Sequence, residues 1–287
     1  RRFGAAMPDQ ESITTAIWLD EDDGTDLFSA QKSWCHGYDV YGQALTRASY
    51  PEYLYLLLTG ERPSAAQARV LERTAIALAN PGPREASVRA AMNAGVGGST
   101  AASSLIAALS VGAGLYGGAR ELYLAMLGVA RCGHDLQAWR DFLPTLLNEW
   151  RQDLGTNPEE FGGTYWPEPQ HTPGFEPHAE KTSLRTLQYL DALPQSGSST
   201  AWLQRHLTEL EAAVESPISL VGVTAFAWRD IGLSAEQGEY LYLILRLPGA
   251  AAHALEQGAL GWRRYPFFRQ GIVLRNDPGP VGKEDKA

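Results

Sequence analysis

The sequence predicts a mostly α-helical protein. Apolar residues recur at the three-to-four-residue spacing of a helix along most of the chain, and alternating runs of β-branched residues are nearly absent. Two Ser-x-x-Gln capping boxes, at 64–67 and 234–237, mark positions where helices begin. With 287 residues, of which 44% are hydrophobic and 20% charged, the chain is long enough for one large domain or two ordinary ones.

Capping residues and helix breakers set the order of the predicted helices. The first follows Ser64 and runs to about Asn80, where Pro81 ends it because proline cannot continue a helix. The second capping box opens a helix from Ser234 through Leu247, and a separate helix is predicted after it. The other predicted helices cover residues 101–109, 120–131, 136–150, 181–193, 201–215, 219–231 and 249–257.

A long irregular connection lies between two of these helices. Residues 155–180 are rich in Gly, Pro and His, and a connection of this length is more often functional than a plain linker. His171 and His178 lie in it beside Glu176 and Glu180. A loop histidine is a better candidate for proton transfer than one on a helix face, although a solvated histidine is the structural alternative.

Composition excludes several classes of function. The net charge of −9 argues against binding to nucleic acid or anionic lipid, and no segment is apolar enough to predict a membrane span. Cys35 and Cys132 are the only cysteines, no two histidines stand four residues apart, and no metal site is predicted. A cytoplasmic location is the default expectation. An anionic substrate requires a local basic pocket in so acidic a protein.

A glycine-rich stretch has two interpretations. Gly112, Gly114 and Gly117 satisfy the G-x-G-x-x-G pattern of dinucleotide sites, which requires a strand before it. The preceding segment is rich in Ala and Ser, which disfavours a strand. A turn where two backbone segments approach closely is the favoured interpretation, and NAD(H) binding is the alternative.

Arginines indicate where an anion binds. Arg246 ends the apolar run that begins at Leu241, and Arg264 lies between Trp262 and Tyr265. Arginine beside aromatic residues in an acidic protein is typical of a bidentate carboxylate or phosphate site. The structural alternatives are a cation at a helix C-terminus for Arg246 and a stacked surface side chain for Arg264.

Six stretches carry motifs in a fixed order between roughly residues 14 and 271. They include H-G-Y-D-V, L-Y-G-G-A, P-G-F-E-P-H and R-x-x-G-x-x-A-H-x-x-E-Q. Together they resemble the citrate synthase family, and within it the citryl-CoA lyase module of ATP-citrate lyase. The stretches are His36–Val40, Tyr53–Pro63, Leu115–Ala119, Pro173–His178, Arg246–Gln257 and Arg264–Phe267.

The resemblance implies a two-domain, all-α fold that forms a homodimer, with the active site in the cleft between the domains. It implies Claisen or retro-Claisen chemistry on an acyl-CoA and a citrate- or oxaloacetate-type polycarboxylate. A coenzyme A thioester is then a cosubstrate, and no cofactor is bound permanently. The implied domains are a large one made of residues 1–119 and 236–287, the latter with the C-terminal tail, and a small one at 120–235 containing the loop 155–180.

The match to the family's functional residues is divided. Arg246 and Arg264 fall where the family binds substrate carboxylates. Tyr116 replaces the first family histidine with a phenol that can donate one hydrogen bond, and His178 lies one residue after the place of the second. Val221 stands where the family has its catalytic aspartate, and a valine cannot transfer a proton.

Three interpretations follow from this division. In the first, the protein is a diverged enzyme whose chemistry runs through His178 and Tyr116, with Glu176 or Glu180 from the loop. In the second, it is a degenerate member that binds a di- or tricarboxylate or acts as the partner subunit of a catalytic homologue. In the third, it is a helical scaffold with structural arginines.

Overall fold

The first described elements form a small sheet that the sequence did not predict. The computed structural model describes residues 14–26, 29–156, 167–194 and 198–265, without the side chains of 153–156. Its antiparallel strands are β1 (Trp18–Asp22), β2 (Ala30–Cys35) and β3 (Tyr38–Asp39), paired in that order. The expectation of almost no strand is wrong here. β1 is exposed along its whole length, so it lacks the apolar alternation that reveals a half-buried strand.

Most of the remaining described residues are helical, which confirms the predicted fold class. A π-helical turn (Val40–Ala44) and α1 (Leu45–Arg47) follow the sheet. The longer helices are α2 (Tyr50–Thr59), α3 (Ala65–Ala79), α4 (Ala86–Val96), α5 (Ala101–Gly112), α6 (Ala119–Cys132), α7 (Leu136–Thr156), α8 (Leu184–Ala192), α9 (Ser198–Val214), α10 (Leu220–Asp230) and α11 (Ala235–Leu260), and a 3-10 turn (Trp262–Arg264) follows them.

Both predicted capping boxes are present. The backbone N–H of Ser64 donates to the side chain of Gln67, and the N–H of Gln67 donates back to the Ser64 hydroxyl. Ser234 and Gln237 make the same pair of hydrogen bonds at the start of α11. Helices α2 and α4 were not predicted.

The helix that carries Arg246 is longer than predicted. Instead of ending near Leu247, α11 continues through Pro248 to Leu260 and is 26 residues long in total. Proline in a helix costs about 3 kcal/mol, so tertiary packing must offset it. The backbone at Gly249 lies so close to the Ala79 carbonyl that a side chain there would clash, and the ring of His253 lies 3.2 Å from the Asn80 amide oxygen. These contacts fix α11 against the end of α3.

Two hydrophobic clusters hold the helices together. The larger one is built from aromatic and aliphatic side chains of α2, α3 and α6–α11, including the fully buried Trp139, Phe226 and Trp228. The smaller one consists of Ala91, Ala108, Ala250 and Ala254, where α4, α5 and α11 pack closely. Small residues let helix backbones approach, so α11 is held firmly beside α4.

Some predicted features lie outside the described residues. These are part of the loop, at 157–166, and the end of the last motif with the C-terminal tail, at 266–287. The predicted domain boundaries at 119/120 and 235/236 stay a prediction. No helix in the described ranges is long and apolar enough to cross a membrane.

Candidate active site

A cavity of about 900 Å³ lies where α3, α4, α6, α8, α10 and α11 meet the glycine-rich turn and the loop. Three predicted site residues line it together: Tyr116, His178 and Arg246. Its charged lining contains four arginines and three glutamates, which makes it a basic pocket in an acidic protein. These residues are Arg84, Arg89, Arg185, Arg246, Glu85, Glu121 and Glu176.

Arg246 is buried in the wall of the cavity and is held by several partners. Its Nη1 donates to the Gly117 carbonyl at 2.8 Å and to the Tyr242 hydroxyl at 2.7 Å. Its Nη2 forms an ion pair with Glu85 at 2.8 Å. Because Arg246 lies in the middle of α11, the helix-terminus explanation for this arginine is wrong. Burial raises the pKa of Tyr242, so its phenol stays neutral and hydrogen-bonded.

Glu121 is the buried acid of the site. One carboxylate oxygen accepts a hydrogen bond from the Gly117 N–H and the other from the Gly174 N–H, at 3.0 Å for the latter. The same carboxylate lies 3.6 Å from Nε2 of His171. A single side chain therefore joins the glycine-rich turn to the loop and places a carboxylate beside the imidazole ring of His171.

His171 and Tyr116 lie side by side in the cavity. Their ring centroids are 5.7 Å apart, and the Tyr116 hydroxyl donates to the Glu168 carbonyl at 3.1 Å. The single hydrogen bond that the Tyr116 phenol can donate is therefore made to the protein's own backbone. His178 lines the cavity with an exposed side chain. Its backbone N–H donates a hydrogen bond to the Glu176 carboxylate.

The loop that carries both histidines is fixed against α10 by close backbone contacts. Phe175 and Ile218 form an isolated antiparallel bridge, and the Gly174 carbonyl accepts hydrogen bonds from the N–H and hydroxyl of Ser219. Gly174 has φ +89° and lies against Gly222, where a Cβ would clash with the Gly174 carbonyl. Only glycine tolerates this approach, so the two glycines set the position of the loop.

Three arginines at the cavity rim differ from Arg246. Arg84, Arg89 and Arg185 are exposed, and none makes an ion pair or side-chain hydrogen bond with another residue in the described ranges. They surround a cavity that can hold a ligand of several carboxylates. Exposed arginines that face a concave pocket can bind carboxylate or phosphate in a bidentate manner.

Arg264 does not line this cavity. The expected convergence of Arg246 and Arg264 is therefore absent within one chain. Because α11 continues to Leu260, the end of the helix lies roughly 21 Å from Arg246 at ~1.5 Å of rise per residue. Arg264 follows in the 3-10 turn with an exposed side chain.

The wall of the cavity lacks the carboxylate that the resemblance would place there. Val221, at the position of the family's aspartate, lines the cavity at the start of α10. Glu121 was assigned no role from the sequence, and His171 was named only as one of two loop histidines that are candidates for proton transfer. A signal for Glu121 exists, since it falls on the buried stripe of α6 with Ala125 and Cys132.

Neither a dinucleotide site nor a metal site is found among the described residues. The glycine-rich stretch follows helix α5 rather than a strand, so the dinucleotide interpretation is wrong and the close turn is confirmed. The described ranges hold no group of three or more His, Cys, Asp or Glu side chains placed to bind a metal ion.

Solved structures show which fold this arrangement shares. The structure of citryl-CoA lyase from Hydrogenobacter thermophilus matches with a TM-score of 0.66 at 17% identity, over 95% of this chain and 98% of that one. ATP citrate lyase from Methanothrix soehngenii in complex with citrate and coenzyme A matches with a TM-score of 0.65 at 16% identity, over 96% of this chain and 44% of that one.

A third match is a mutant ATP citrate lyase from Methanosaeta concilii in complex with (3S)-citryl-CoA. Its TM-score is 0.64 at 15% identity, over 94% of this chain and 43% of that one. The chain has a citrate synthase-like fold. It spans the full length of the citryl-CoA lyase but under half the length of either ATP citrate lyase. No protein-family model and no curated protein matches the sequence.

Proposed function

We propose that the protein binds a citrate-type polycarboxylate as its coenzyme A thioester and cleaves it by retro-Claisen chemistry. The observation that carries the proposal is one cavity that combines three rim arginines with His171 and the buried Glu121 beside it. The citrate synthase-like fold supports it, since the fold is shared with a citryl-CoA lyase. Coenzyme A enters as part of the substrate thioester and leaves as part of the shorter acyl-CoA.

The rim arginines bind the substrate's carboxylates. Citrate carries several negative charges, and each bidentate contact with a guanidinium adds both affinity and orientation. Arg185 lies on α8, Arg89 lies on α4, and Arg84 lies just before α4; all three line the cavity. A ligand held between them brings its reacting carbon toward the buried wall.

His171 is the group that moves the proton. It takes the proton of the substrate's hydroxyl, the bond between the carbinol carbon and the methylene carbon breaks, and a ketone forms. The electron pair passes to the thioester enolate, which recovers the proton at carbon to give the shorter acyl-CoA. The carboxylate of Glu121 lies beside the imidazole during these steps, and Tyr116 packs against the ring.

A second candidate function is binding without turnover. Val221 favours it, because this residue places a hydrocarbon side chain in the cavity wall where the resemblance implies a catalytic carboxylate. In that case the protein is a polycarboxylate-binding member, or the partner subunit of a catalytic homologue.

Turnover of (3S)-citryl-CoA, followed as released oxaloacetate, separates the two candidates. We expect His171→Asn to lower kcat about 10²–10⁴-fold, the loss typical of a missing general base. The matched variant His178→Asn removes an exposed histidine and is expected to change kcat less than about tenfold. Citrate binding without turnover supports the second candidate. A protein that neither binds citrate nor turns over (3S)-citryl-CoA contradicts both candidates.

We also propose that the chain forms a homodimer. Exposed apolar side chains on α5, on α11 and in the 3-10 turn after it support this, among them Ile106 at 61%, Leu255 at 75% and Trp262 at 62%. Large apolar patches on a protein surface mark interaction sites. Arg264 lies beside Trp262 in the 3-10 turn, at the edge of this surface. Light scattering of the purified protein tests the proposal, and a monomer at micromolar concentration contradicts it.

A further inference from the structure

We propose that Glu85 is an internal competitor for substrate: it occupies Arg246 in the free protein and is displaced by a ligand carboxylate. The inference rests on the proposed function, since it concerns the same cavity. It assigns Glu85 a role in specificity that neither the resemblance nor the fold comparison implies.

The contacts of Arg246 show why only one of its partners can be exchanged. Gly117 and Tyr242 are neutral acceptors on the Nη1 side, and they position the guanidinium whatever else is bound. Glu85 is the anionic partner, on the Nη2 side. The Ser87 hydroxyl lies at 3.5 Å from the same nitrogen, which is too long to replace a carboxylate.

The two members of the ion pair differ in exposure. The Arg246 side chain is 8% exposed, whereas the Glu85 side chain is 35% exposed. A buried guanidinium left without an anion is costly, but a carboxylate that moves into water is not. Arg246 is therefore fixed and Glu85 is the partner that can leave.

The position of Glu85 in the fold also permits it to leave. It is the N-cap residue of α4, yet its side chain accepts no hydrogen bond from the first turn of that helix. Moving the carboxylate away from Arg246 therefore breaks no helix cap. The backbone N–H of Glu85 donates to the Gly82 carbonyl, a bond that does not involve the side chain.

Exchange of one carboxylate for another makes Arg246 selective. A ligand without a free carboxylate cannot satisfy Arg246 and so cannot displace Glu85. A ligand with a free carboxylate replaces the Glu85 ion pair by an equivalent one, so this contact adds little affinity. Most of the ligand's affinity must then come from the rim arginines. The free protein is thus protected against neutral ligands at the expense of affinity for its substrate.

Calorimetric titration with citrate tests the inference. Glu85→Gln removes the competing charge but keeps the size of the side chain, and we expect it to bind citrate about tenfold more tightly than the unaltered protein. Glu176→Gln is the matched control, because it removes one negative charge from the same cavity without touching Arg246. It is expected to change the Kd less than about threefold.

Two further variants separate pairing from folding and from charge. Glu85→Asp keeps the charge but withdraws it by one methylene, and it should gain part of the affinity. In an Arg246→Gln background, Glu85→Gln should no longer tighten binding, because the contact that it relieves is absent. Thermal unfolding of every variant shows that the compared proteins are folded.

The outcomes are distinct. Tighter binding by Glu85→Gln alone, lost in the Arg246→Gln background, supports the inference. Equal effects of Glu85→Gln and Glu176→Gln overturn it while leaving the proposed function intact, since citrate still binds. Absence of citrate binding by the unaltered protein and by Glu85→Gln overturns both.

Discussion

The charged side chains in the buried wall of the cavity have partners within the protein, whereas the arginines at its rim have none in the part of the chain that the structure describes. In the wall, Glu121 is bonded to Gly117, Gly174 and His171, and Arg246 is paired with Glu85. At the rim, the three exposed arginines have no such partner within the described residues. In the free protein the wall's charges are satisfied by the protein's own groups, whereas the rim's charges are available to a ligand without displacing a partner.

This difference separates stability from binding. Removing a charge from the wall should destabilise the fold because it leaves buried partners unsatisfied. Removing a charge from the rim should weaken ligand binding and leave the fold nearly unchanged. The predictions below test that separation, and they are ordered from the largest expected effect to the smallest.

Glu121→Ala is expected to lower the free energy of unfolding by about 2–4 kcal/mol, because two backbone N–H groups lose their acceptor inside the protein. Urea denaturation measures this. Glu180→Ala is the control, an exposed acid near the end of the same loop, and should change stability by less than about 0.5 kcal/mol. Equal effects would show that Glu121 does not hold the wall together.

Gly222→Ala tests the close approach between α10 and the loop. Its new methyl group would meet the Gly174 carbonyl, so we expect a loss of about 1–3 kcal/mol in urea denaturation. Gly258→Ala on α11 is the matched control, since its Cβ meets the nearest atom at an ordinary 3.6 Å. There alanine should stabilise the helix by up to about 1 kcal/mol. A neutral Gly222→Ala would mean that the loop can move freely.

Arg185→Ala tests the rim. The variant is expected to bind citrate about tenfold more weakly, equivalent to roughly 1.4 kcal/mol, with its unfolding free energy unchanged within about 0.5 kcal/mol. Arg69→Ala removes an exposed arginine of α3 that does not line the cavity, and should change neither quantity. A loss of stability in Arg185→Ala would place this arginine with the wall instead.

Sequence reasoning located much of the fold and part of the site. Cap residues such as Ser64 and Ser234 act locally, so the starts of α3 and α11 were predictable. The long α11 was not, because contacts of Gly249 with α3 compensate for Pro248, and those contacts are between residues far apart in the chain. The expectation that Arg264 acts together with Arg246 came instead from the family resemblance.

The buried acid shows the same limit. Glu121 looks like a solvated residue at the start of a helix, and its role depends on Gly117, four residues away, and on Gly174, which only the folded chain brings to it. Tyr116, His178 and Arg246 were singled out by the order of the motifs, and all three line one cavity, while their roles stay a prediction. Which of them is exposed, bonded or paired depends on packing.

The most direct measurement is the change in melting temperature that citrate causes in the unaltered protein and in the triple variant Arg84→Ala/Arg89→Ala/Arg185→Ala. At about 100 times its Kd, a ligand stabilises the native state by ~2.7 kcal/mol, which corresponds to a rise of about 5 °C in a chain of this size. We predict this rise in the unaltered protein and its loss in the triple variant. An unchanged melting temperature in millimolar citrate, or an equal rise in both proteins, would contradict the assignment of the rim as a polycarboxylate site.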